Sequence, residues 1–115
     1  MADTIFAKII NGEIPTDKVY EDDFCIAIND IAPQAPVHVL VIPKKPIEKL
    51  ADAQAEDQAL LGHLMLAAGQ VARQLGVEEA FRLIVNNGAG AGQTVFHLHL
   101  HIIAGRSFPE GQMVG

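Results

Sequence analysis

The most regular alternation of polar and apolar residues lies near the C-terminal end of the chain, over residues 95–103. From Phe96 onward it reads Phe-His-Leu-His-Leu-His-Ile-Ile. Because successive side chains of a β-strand point to opposite faces, this pattern predicts a strand with three histidines on one face. The apolar residues between them then face the core. The histidines are His97, His99 and His101.

Four further segments have the composition of strands, with apolar and β-branched residues bounded by turn residues. A proline-containing stretch, residues 30–36, separates the second of these segments from the third and is not expected to be regular. The predicted strands cover residues 18–22, 24–29, 37–42 and 82–86.

Helical periodicity is found in two places. The longer segment runs from near Glu56 to Leu75 with an apolar stripe along one face, and Gly76 fits the position just past its end. A short helix near the N-terminus is capped by Asp3 or Thr4. The short helix contains Ile5, Phe6, Ile9 and Ile10, and Gly12 is placed to end it.

Five strands with segregated helices predict an α+β fold, a five-stranded antiparallel sheet with a short N-terminal helix and one long helix.

The length and composition fit a single domain, residues 1–115, in which half of the residues are hydrophobic. With 8 basic and 14 acidic residues, the chain lacks the basic stripe of proteins that bind nucleic acid non-specifically. The single cysteine, Cys25, lies in an apolar run and is expected to be buried. No run approaches the ~20 apolar residues of a membrane span, and no signal peptide is recognisable. We therefore expect a cytoplasmic protein that binds neither nucleic acid nor membrane.

Three closely spaced imidazoles on one face allow two chemical interpretations. The first is a zinc or copper site, because a His-x-His pair on a strand is a good ligand set and neutral imidazole is a common metal donor. The second is nucleophilic catalysis without a metal, because the unprotonated imidazole is available at neutral pH. A neighbouring imidazolium can then neutralise phosphate oxygens or protonate a leaving group.

The loop before the histidines favours the second interpretation. Residues 86–94 read Asn-Asn-Gly-Ala-Gly-Ala-Gly-Gln-Thr. Glycines let the backbone approach an anion and direct N–H groups at it, while Gln93 and Thr94 add side-chain donors. Carboxylates or thiolates, which metal sites usually need to complete or orient them, do not occur close by in the strand. We interpret the loop and the histidines together as a phosphate site that needs no metal or other cofactor.

The segment from His97 to Ile103 resembles the signature of the histidine triad (HIT) family, three histidines alternating with apolar residues. The resemblance extends over nearly the whole chain. It is closest to the Hint branch, nucleotide-binding proteins that hydrolyse adenosine phosphoramidates, and it implies the HIT-like version of the α+β fold. It is carried further by residues 3–10, 29–36, 38–45, 61–65 and 92–96.

The resemblance implies a role for each matching residue. His99 would be the nucleophile that becomes nucleotidylated, and His101 would contact the phosphate and help the leaving amine depart. His97 would orient His99, partly through its backbone carbonyl, His38 would support the triad from the adjoining strand, and Asp30 would hold the ribose hydroxyls. The phosphate-side residues would be Asn86, Gly92 and Thr94, with Gln93 close by, and the apolar slot for the base would be Ile5, Phe6, Ile9, Ile28, Ile31 and Leu40. Core packing is the alternative explanation for these apolar residues, and both roles can hold for one side chain.

Three features depart from the family pattern. Some relatives carry a cysteine pair in the first helix that helps to bind a structural zinc, but Thr4 and Ala7 occupy those positions here, so no such zinc is predicted. Thr94 stands where many relatives have serine, which keeps the hydroxyl and adds a methyl group. The tail, residues 107–115, does not match the animal members, and it leaves the leaving-group preference open.

These expectations describe a purine nucleoside phosphoramidate hydrolase. His99 would displace an amine from phosphorus to give a nucleotidyl-histidine, and water would then release the nucleoside monophosphate. The alternatives are a dinucleoside polyphosphate hydrolase, a nucleotide-binding regulatory partner with incidental catalysis, and the zinc or copper site. The resemblance also implies a homodimer with the long helix and one sheet edge at its interface, which agrees with the need of sheet edges for cover.

Overall fold

One antiparallel sheet of five strands, in the order β1-β2-β3-β5-β4, organises the chain. The structure is a computed structural model that describes residues 4–112. A short helix and a long helix accompany the five-stranded sheet, which confirms the predicted fold class. The helices are α1 (Ile5–Ile10) and α2 (Gln58–Gln74), and the strands are β1 (Tyr20–Glu21), β2 (Cys25–Asn29), β3 (Val37–Pro43), β4 (Phe81–Ile84) and β5 (Leu100–Ala104). Within residues 4–112, no helix is both long and apolar enough to cross a membrane.

The sheet separates two apolar clusters, and alternate residues of β3 supply both of them. Val39 and Val41 belong to the cluster that contains the buried face of α2. Leu40, between them, belongs to the cluster formed with Phe6 of α1. Directly paired residues on neighbouring strands share a face of the sheet. His101, the partner of Leu40, is therefore on the α1 side.

The ends of both helices follow from local sequence. The Thr4 hydroxyl accepts a hydrogen bond from the Ala7 N–H at 3.1 Å, so Thr4 is the N-cap of α1. The other predicted cap, Asp3, lies outside the described residues. Gly12 and Gly76 follow the two helices with φ of +80° and +73°, in the left-handed region that glycine adopts without strain.

The fifth strand is shorter than predicted, because it begins at Leu100 rather than near residue 95. Its pairing with β3 ends at Val41, and the next residue that could continue the ladder on that side, Pro43, has no N–H to donate. The Leu98 N–H bonds instead to the Ile47 carbonyl, which lies outside the sheet, at 2.7 Å. Two of the three triad histidines consequently precede the strand, although the apolar side chain of Leu98 still packs in the cluster of α2.

The other predicted elements exist with shifted ends. β1 has two residues rather than five, β2 begins at Cys25, and β3 extends to Pro43. β4 covers residues 81–84 rather than 82–86. The long helix begins at Gln58, after one turn of 3₁₀ helix that the periodicity did not indicate.

A carboxylate joins the β1–β2 hairpin to α2. Oδ1 of Asp22 accepts the N–H groups of Phe24 and Cys25, and Oδ2 accepts the Tyr20 hydroxyl. The same Oδ2 lies 2.6 Å from Nε2 of His63, which is on α2. Asp22 therefore fixes the turn and links it to the helix through one side chain. Partial burial raises the pKa of Asp22, but the hydrogen bonds from Phe24, His63, Tyr20 and Cys25 together hold it well below its usual range.

Candidate functional site

Four histidines form one cluster on the α1 side of the sheet. The ring of His101 lies 4.9 Å from that of His99 and 5.1 Å from that of His38, centroid to centroid. Phe6 of α1 covers the cluster and places its ring 5.0 Å from His99 and 6.3 Å from His97, edge to face. The structure therefore brings together all of the histidines that the sequence analysis assigned to the site.

The orientation of His99 follows from one hydrogen bond. Its Nδ1 lies 2.7 Å from the backbone carbonyl of His97. A carbonyl oxygen only accepts, so Nδ1 carries the proton and Nε2 of neutral His99 holds a lone pair. Among residues 4–112, Nε2 has no hydrogen-bond partner, and it is not one of the buried unpaired nitrogens. His99 therefore presents an unprotonated nitrogen for reaction.

His97 supports this arrangement through its backbone rather than by facing a ligand. Its Nε2 donates to the carbonyl of Pro43 at 2.7 Å, which ties the segment before β5 to the end of β3. The residue is only 1% exposed. Its Nδ1 is buried without a partner among the described residues. His97 thus fixes the carbonyl that orients His99.

His38 and His101 form a hydrogen-bonded pair. The Gln34 N–H donates to Nδ1 of His38 at 3.0 Å, so this nitrogen accepts and the proton of neutral His38 is on Nε2. Nε2 of His38 lies 2.9 Å from Nδ1 of His101 and donates to it. The proton of neutral His101 is then on its Nε2, a buried atom with no partner among residues 4–112. His99 and His101 are neighbours with opposite tautomers.

Burial sets the charge state of these imidazoles. It lowers the pKa of His97, His99 and His101, because removal from water disfavours the charged form. The pKa of His101 falls to about 4, with further lowering by the neighbouring His99 and His38. The Asp30 carboxylate acts in the opposite direction on His99 and His101. At neutral pH these three imidazoles are therefore uncharged.

The glycine-rich loop is organised mainly by its own hydrogen bonds. The N–H groups of Ala91 and Gln93 donate to the Gly88 carbonyl, and that of Gly92 donates to the Ala89 carbonyl. Gly88 and Gly92 have φ of +92° and +94°. These bonds close one turn of 3₁₀ helix, Ala89–Ala91. The loop consequently offers fewer free N–H groups to an anion than its glycine content indicates.

Gln93 differs from the expectation that it donates to a phosphate. Its side-chain Nε2 donates to the carbonyls of Glu48 (2.7 Å) and Val95 (3.0 Å), and its Oε1 accepts the Gly88 N–H (2.7 Å). Both amide protons are therefore already used, and the side chain is buried. Gln93 anchors the loop from within, a role that needs a buried amide and that the sequence alone did not distinguish from ligand contact.

Two of the other residues expected on the phosphate side are at least partly exposed to solvent. Asn86 is half-buried and Thr94 is exposed. A β-carbon placed on Gly92 would lie 3.8 Å from the Asn86 amide nitrogen, so the lack of a side chain at Gly92 keeps the space beside Asn86 open.

The residues assigned to the base slot divide into two groups. Phe6, Ile9, Ile28 and Leu40 are buried in the cluster under α1. Ile31 is 99% exposed, in the loop after β2, and Ile5 is also exposed, on the outer side of α1. The first group packs in the core beneath α1. An apolar side chain left in water, as at Ile31, is available to cover a flat ligand.

Two groups of side chains place metal-ligating atoms within 4.8 Å of one another, among the residues that the structure describes. In both groups hydrogen bonds account for the close approach. Asp22 uses both of its oxygens in the hairpin, and burial raises the pKa of its neighbour Cys25 to about 12. In the other group a proton lies between the two imidazoles. The groups are Asp22, Cys25 and His63, and Asp30, His38 and His101.

Sequence reasoning missed the contacts made by backbone groups. The Pro43 carbonyl orients His97, and the Gln34 N–H fixes the tautomer of His38. Residue identity carries no signal for such contacts, since every residue has a carbonyl and all but proline have an N–H. They become visible only when the loop geometry is known.

The fold and the site define a class of α+β proteins that carry a histidine cluster at one antiparallel sheet, with His38 on β3, His101 on β5 and the other two histidines just before β5. A model of the HIT domain family matches residues 11–108, and the chain belongs to this family.

Curated relatives match over nearly their full length. The chain is 64% identical over 106 residues to an uncharacterized HIT-like protein of Synechocystis sp., a match that covers 92% of this chain and 93% of the relative. It is 60% identical over 111 residues to an uncharacterized HIT-like protein of Synechococcus elongatus, with 95% and 97% covered.

Solved structures agree in fold. A HIT family hydrolase from Clostridium thermocellum superposes with a TM-score of 0.92 and 43% identity, and 99% of each chain is covered. A HIT family hydrolase from Legionella pneumophila gives 0.90 and 41%, with 95% of this chain and 98% of the other covered. A histidine triad protein from Clostridium difficile gives 0.89 and 43%, with 97% and 98% covered.

Proposed function

We propose that this protein is a hydrolase of the Hint branch that cleaves the P–N bond of purine nucleoside phosphoramidates. The observation that carries the proposal is the pair of opposite tautomers, a lone pair on Nε2 of His99 next to a proton on Nε2 of His101. A nucleophile and a donor side by side are what displacement at phosphorus requires. The relatives of similar fold that are HIT family hydrolases support the reaction class.

The reaction has two displacements at the same phosphorus. Nε2 of His99 forms a bond to phosphorus, the P–N bond to the substrate amine breaks, and the departing nitrogen takes up one proton. Water then attacks phosphorus, the bond to His99 breaks, and the water gives up one proton. The two steps together consume one water and yield a nucleoside monophosphate and an amine.

The environment of the histidines favours the first displacement. Nδ1 of His99 carries a proton and donates it in a hydrogen bond to the His97 carbonyl, so the imidazolium that forms in the reaction keeps this hydrogen bond. Nε2–H of neutral His101 can donate a hydrogen bond to a phosphoryl oxygen, and the imidazolium form of His101 can give one proton to the departing nitrogen and remain a neutral imidazole. A bound phosphoryl anion favours the protonated form of a nearby imidazole and opposes the lowering of its pKa by burial.

The nucleoside lies against the residues of the apolar slot in this proposal. Asp30 has one carboxylate oxygen engaged by the Ala32 N–H at 2.8 Å, which leaves the other able to accept from ribose hydroxyls. Asn86, Gly92 and Thr94 lie on the phosphate side. Few polar groups are available to distinguish adenine from guanine, so a preference for purines in general follows.

We also propose that two copies of the chain form a homodimer. β4 is an edge of the sheet, with one neighbouring strand only. On α2, Met65 and Leu66 are 58% and 76% exposed, although they are large apolar residues in the middle of a helix. A partner that covers both features would bury an apolar surface and pair a free edge.

The experiment that tests the reaction class compares two substrates in the presence of EDTA. Adenosine 5′-phosphoramidate should be hydrolysed to adenosine monophosphate, and a diadenosine polyphosphate should be a much poorer substrate. Preference for the polyphosphate would move the assignment to another activity within the family. Loss of turnover in EDTA, restored by zinc or copper, would contradict the metal-free mechanism. Binding of adenosine monophosphate without any turnover would favour a regulatory partner.

A further inference from the structure

Asp30 has a neighbour that ribose recognition does not explain. Its Oδ2 lies 3.4 Å from Nε2 of His38, the nitrogen that donates to His101 at 2.9 Å. An N–H···O hydrogen bond is usually shorter than about 3.2 Å, so the proton of His38 is directed to His101. Asp30 acts as a negative charge beside that bond.

Three contacts hold the carboxylate in this place. Its Oδ1 accepts the Ala32 N–H at 2.8 Å, and its backbone N–H donates to the carbonyl of His38 at 2.9 Å. The side chain of Asp30 is 19% exposed and that of His38 is 4% exposed. Little water therefore lies between the carboxylate and the imidazole to screen the charge.

We propose that Asp30 is a positioning residue for His101 that acts through His38. This inference deepens the proposed function and rests on it for the role of His101. The carboxylate favours the proton of His38 on Nε2, while the Gln34 N–H disfavours it on Nδ1 from the opposite side of the ring. That proton makes Nδ1 of His101 an acceptor. The proton of His101 is thereby kept on the nitrogen that has no partner among residues 4–112.

The arrangement makes one carboxylate serve both ends of the substrate. In the proposed complex, Asp30 holds the ribose and also sets the donor that acts at phosphorus. A variant at Asp30 then loses two separable functions, and the substrate can be chosen so that only one of them is measured.

The kinetic experiment uses adenosine 5′-phosphoramidate and its 2′,3′-dideoxy counterpart with the wild-type protein and with Asp30→Asn. If Asp30 serves the ribose alone, the two proteins should have the same kcat and KM on the dideoxy substrate. We expect instead that the two proteins have equal KM values on the dideoxy substrate. The kcat of Asp30→Asn should nevertheless stay below that of the wild type by roughly tenfold or more. Equal kcat values on the dideoxy substrate would overturn the proposal.

Two further variants separate positioning from a general structural effect. In a His38→Phe background, Asp30→Asn should cause no additional loss of kcat on the dideoxy substrate, because the residue through which it acts is gone. An undiminished loss in that background would contradict the route through His38. Asp23→Asn, which removes an exposed carboxylate in the β1–β2 turn, is the matched control and should retain wild-type kinetics.

A measurement without substrate keeps the inference testable if the proposed function fails. Long-range ¹⁵N–¹H correlation spectra of the free protein report which ring nitrogen of each histidine carries the proton. We expect His38 and His101 protonated on Nε2 in the wild type and a mixture of tautomers for both in Asp30→Asn. Unchanged tautomers in Asp30→Asn would overturn the inference. Absence of turnover by the wild type, with the tautomer change present, would reject only the proposed reaction.

Discussion

Identical side chains two residues apart reach different states in this site because their ring nitrogens meet different neighbours. Nδ1–H of His99 donates a hydrogen bond to a backbone carbonyl, whereas the Nδ1 of His101 accepts a hydrogen bond from Nε2–H of His38. One imidazole therefore presents a lone pair and the other an N–H. A reaction that needs both a nucleophile and a hydrogen-bond donor can therefore use His99 for the first role and His101 for the second, although both residues are histidines.

The pH dependence of kcat/KM follows from the state of His99 in the free protein. Reaction requires Nε2 unprotonated, and burial lowers the pKa of His99 below its ordinary value of 6.5. We expect the acid limb of the profile to have its midpoint below pH 6.5. A series of initial rates from pH 4 to pH 8 measures it, and a midpoint above 6.5 would contradict the assigned nucleophile.

Stability should fall on the acid side for the same reason. The pKa of His101 is lowered from 6.5 to about 4 in the folded protein, so the unfolded chain binds more protons between these values. The contribution of neutral His101 to stability is therefore complete above pH 6.5 and is lost as the pH falls toward about 4. Thermal melts across this range should show a decreasing Tm. The decrease should be shallower in His101→Asn; an equally steep decrease would assign it to other groups.

The sequence indicated the histidines of the site but not their states. The alternation with apolar residues predicted that His97, His99 and His101 lie on one side of the sheet. They do so although His97 and His99 precede β5. The tautomers depend on a carbonyl and an N–H of distant backbone, which no pattern of side chains encodes. The same limit explains Gln93, because a buried amide and a ligand-binding amide look alike in a sequence.

At the scale of elements, the site depends on the segment between the glycine-rich loop and β5. The ladder to β3 stops where Pro43 removes a donor, and the freed segment is held by the Ile47 and Pro43 carbonyls instead. The bend places His97 and His99 beside Phe6 of α1. Alternation predicted a longer strand, since a buried extended segment has the same pattern with or without ladder hydrogen bonds.

Gln93 is expected to determine the shape of the loop. Gln93→Ala removes hydrogen bonds to three backbone groups and leaves buried polar atoms unpaired, which should cost about 1–3 kcal/mol of unfolding free energy. Turnover should fall as well, since the loop flanks the phosphate side. Chemical denaturation and kinetics measure both effects. Gln58→Ala, at an exposed glutamine of α2, is the control and should stay within ~0.5 kcal/mol of the wild type. Equal stability of the two variants would contradict this role.

Asp22 provides a test of the link between the hairpin and α2. Asp22→Asn keeps the shape of the side chain but removes the charge that pairs with His63 and changes one acceptor into a donor. We expect a loss of about 1–3 kcal/mol in unfolding free energy with kcat little changed, because the Asp22 side chain bonds to the hairpin and to His63 and to none of the four clustered histidines. Asp23→Asn, the exposed neighbour, should be nearly neutral. A loss of kcat without a loss of stability would show that the hairpin acts on the site.

The surface of the described residues has an unpaired strand edge and an exposed apolar side chain that contacts within one copy of the chain leave uncovered. The β4 edge is open, and Leu66 exposes most of its side chain in the centre of the long helix. Leu66→Glu would place a charge in the proposed dimer interface, where burial without a partner is costly. Size-exclusion chromatography with light scattering at micromolar concentration should give a dimer for the wild type and a monomer for Leu66→Glu. Ala55→Glu, which places the same charge at an exposed position before α2, should remain dimeric, and a monomeric wild type would reject the dimer.

Single-turnover hydrolysis of adenosine 5′-phosphoramidate in EDTA, followed by intact-protein mass spectrometry, tests whether His99 is the nucleophile. The wild type should form a nucleotidyl adduct on His99 and release adenosine monophosphate. His99→Ala should form no adduct and lose several orders of magnitude in rate, while His63→Ala, which removes a histidine outside the cluster, should retain turnover. Full activity of His99→Ala, or an adduct on another residue, would contradict His99 as the nucleophile.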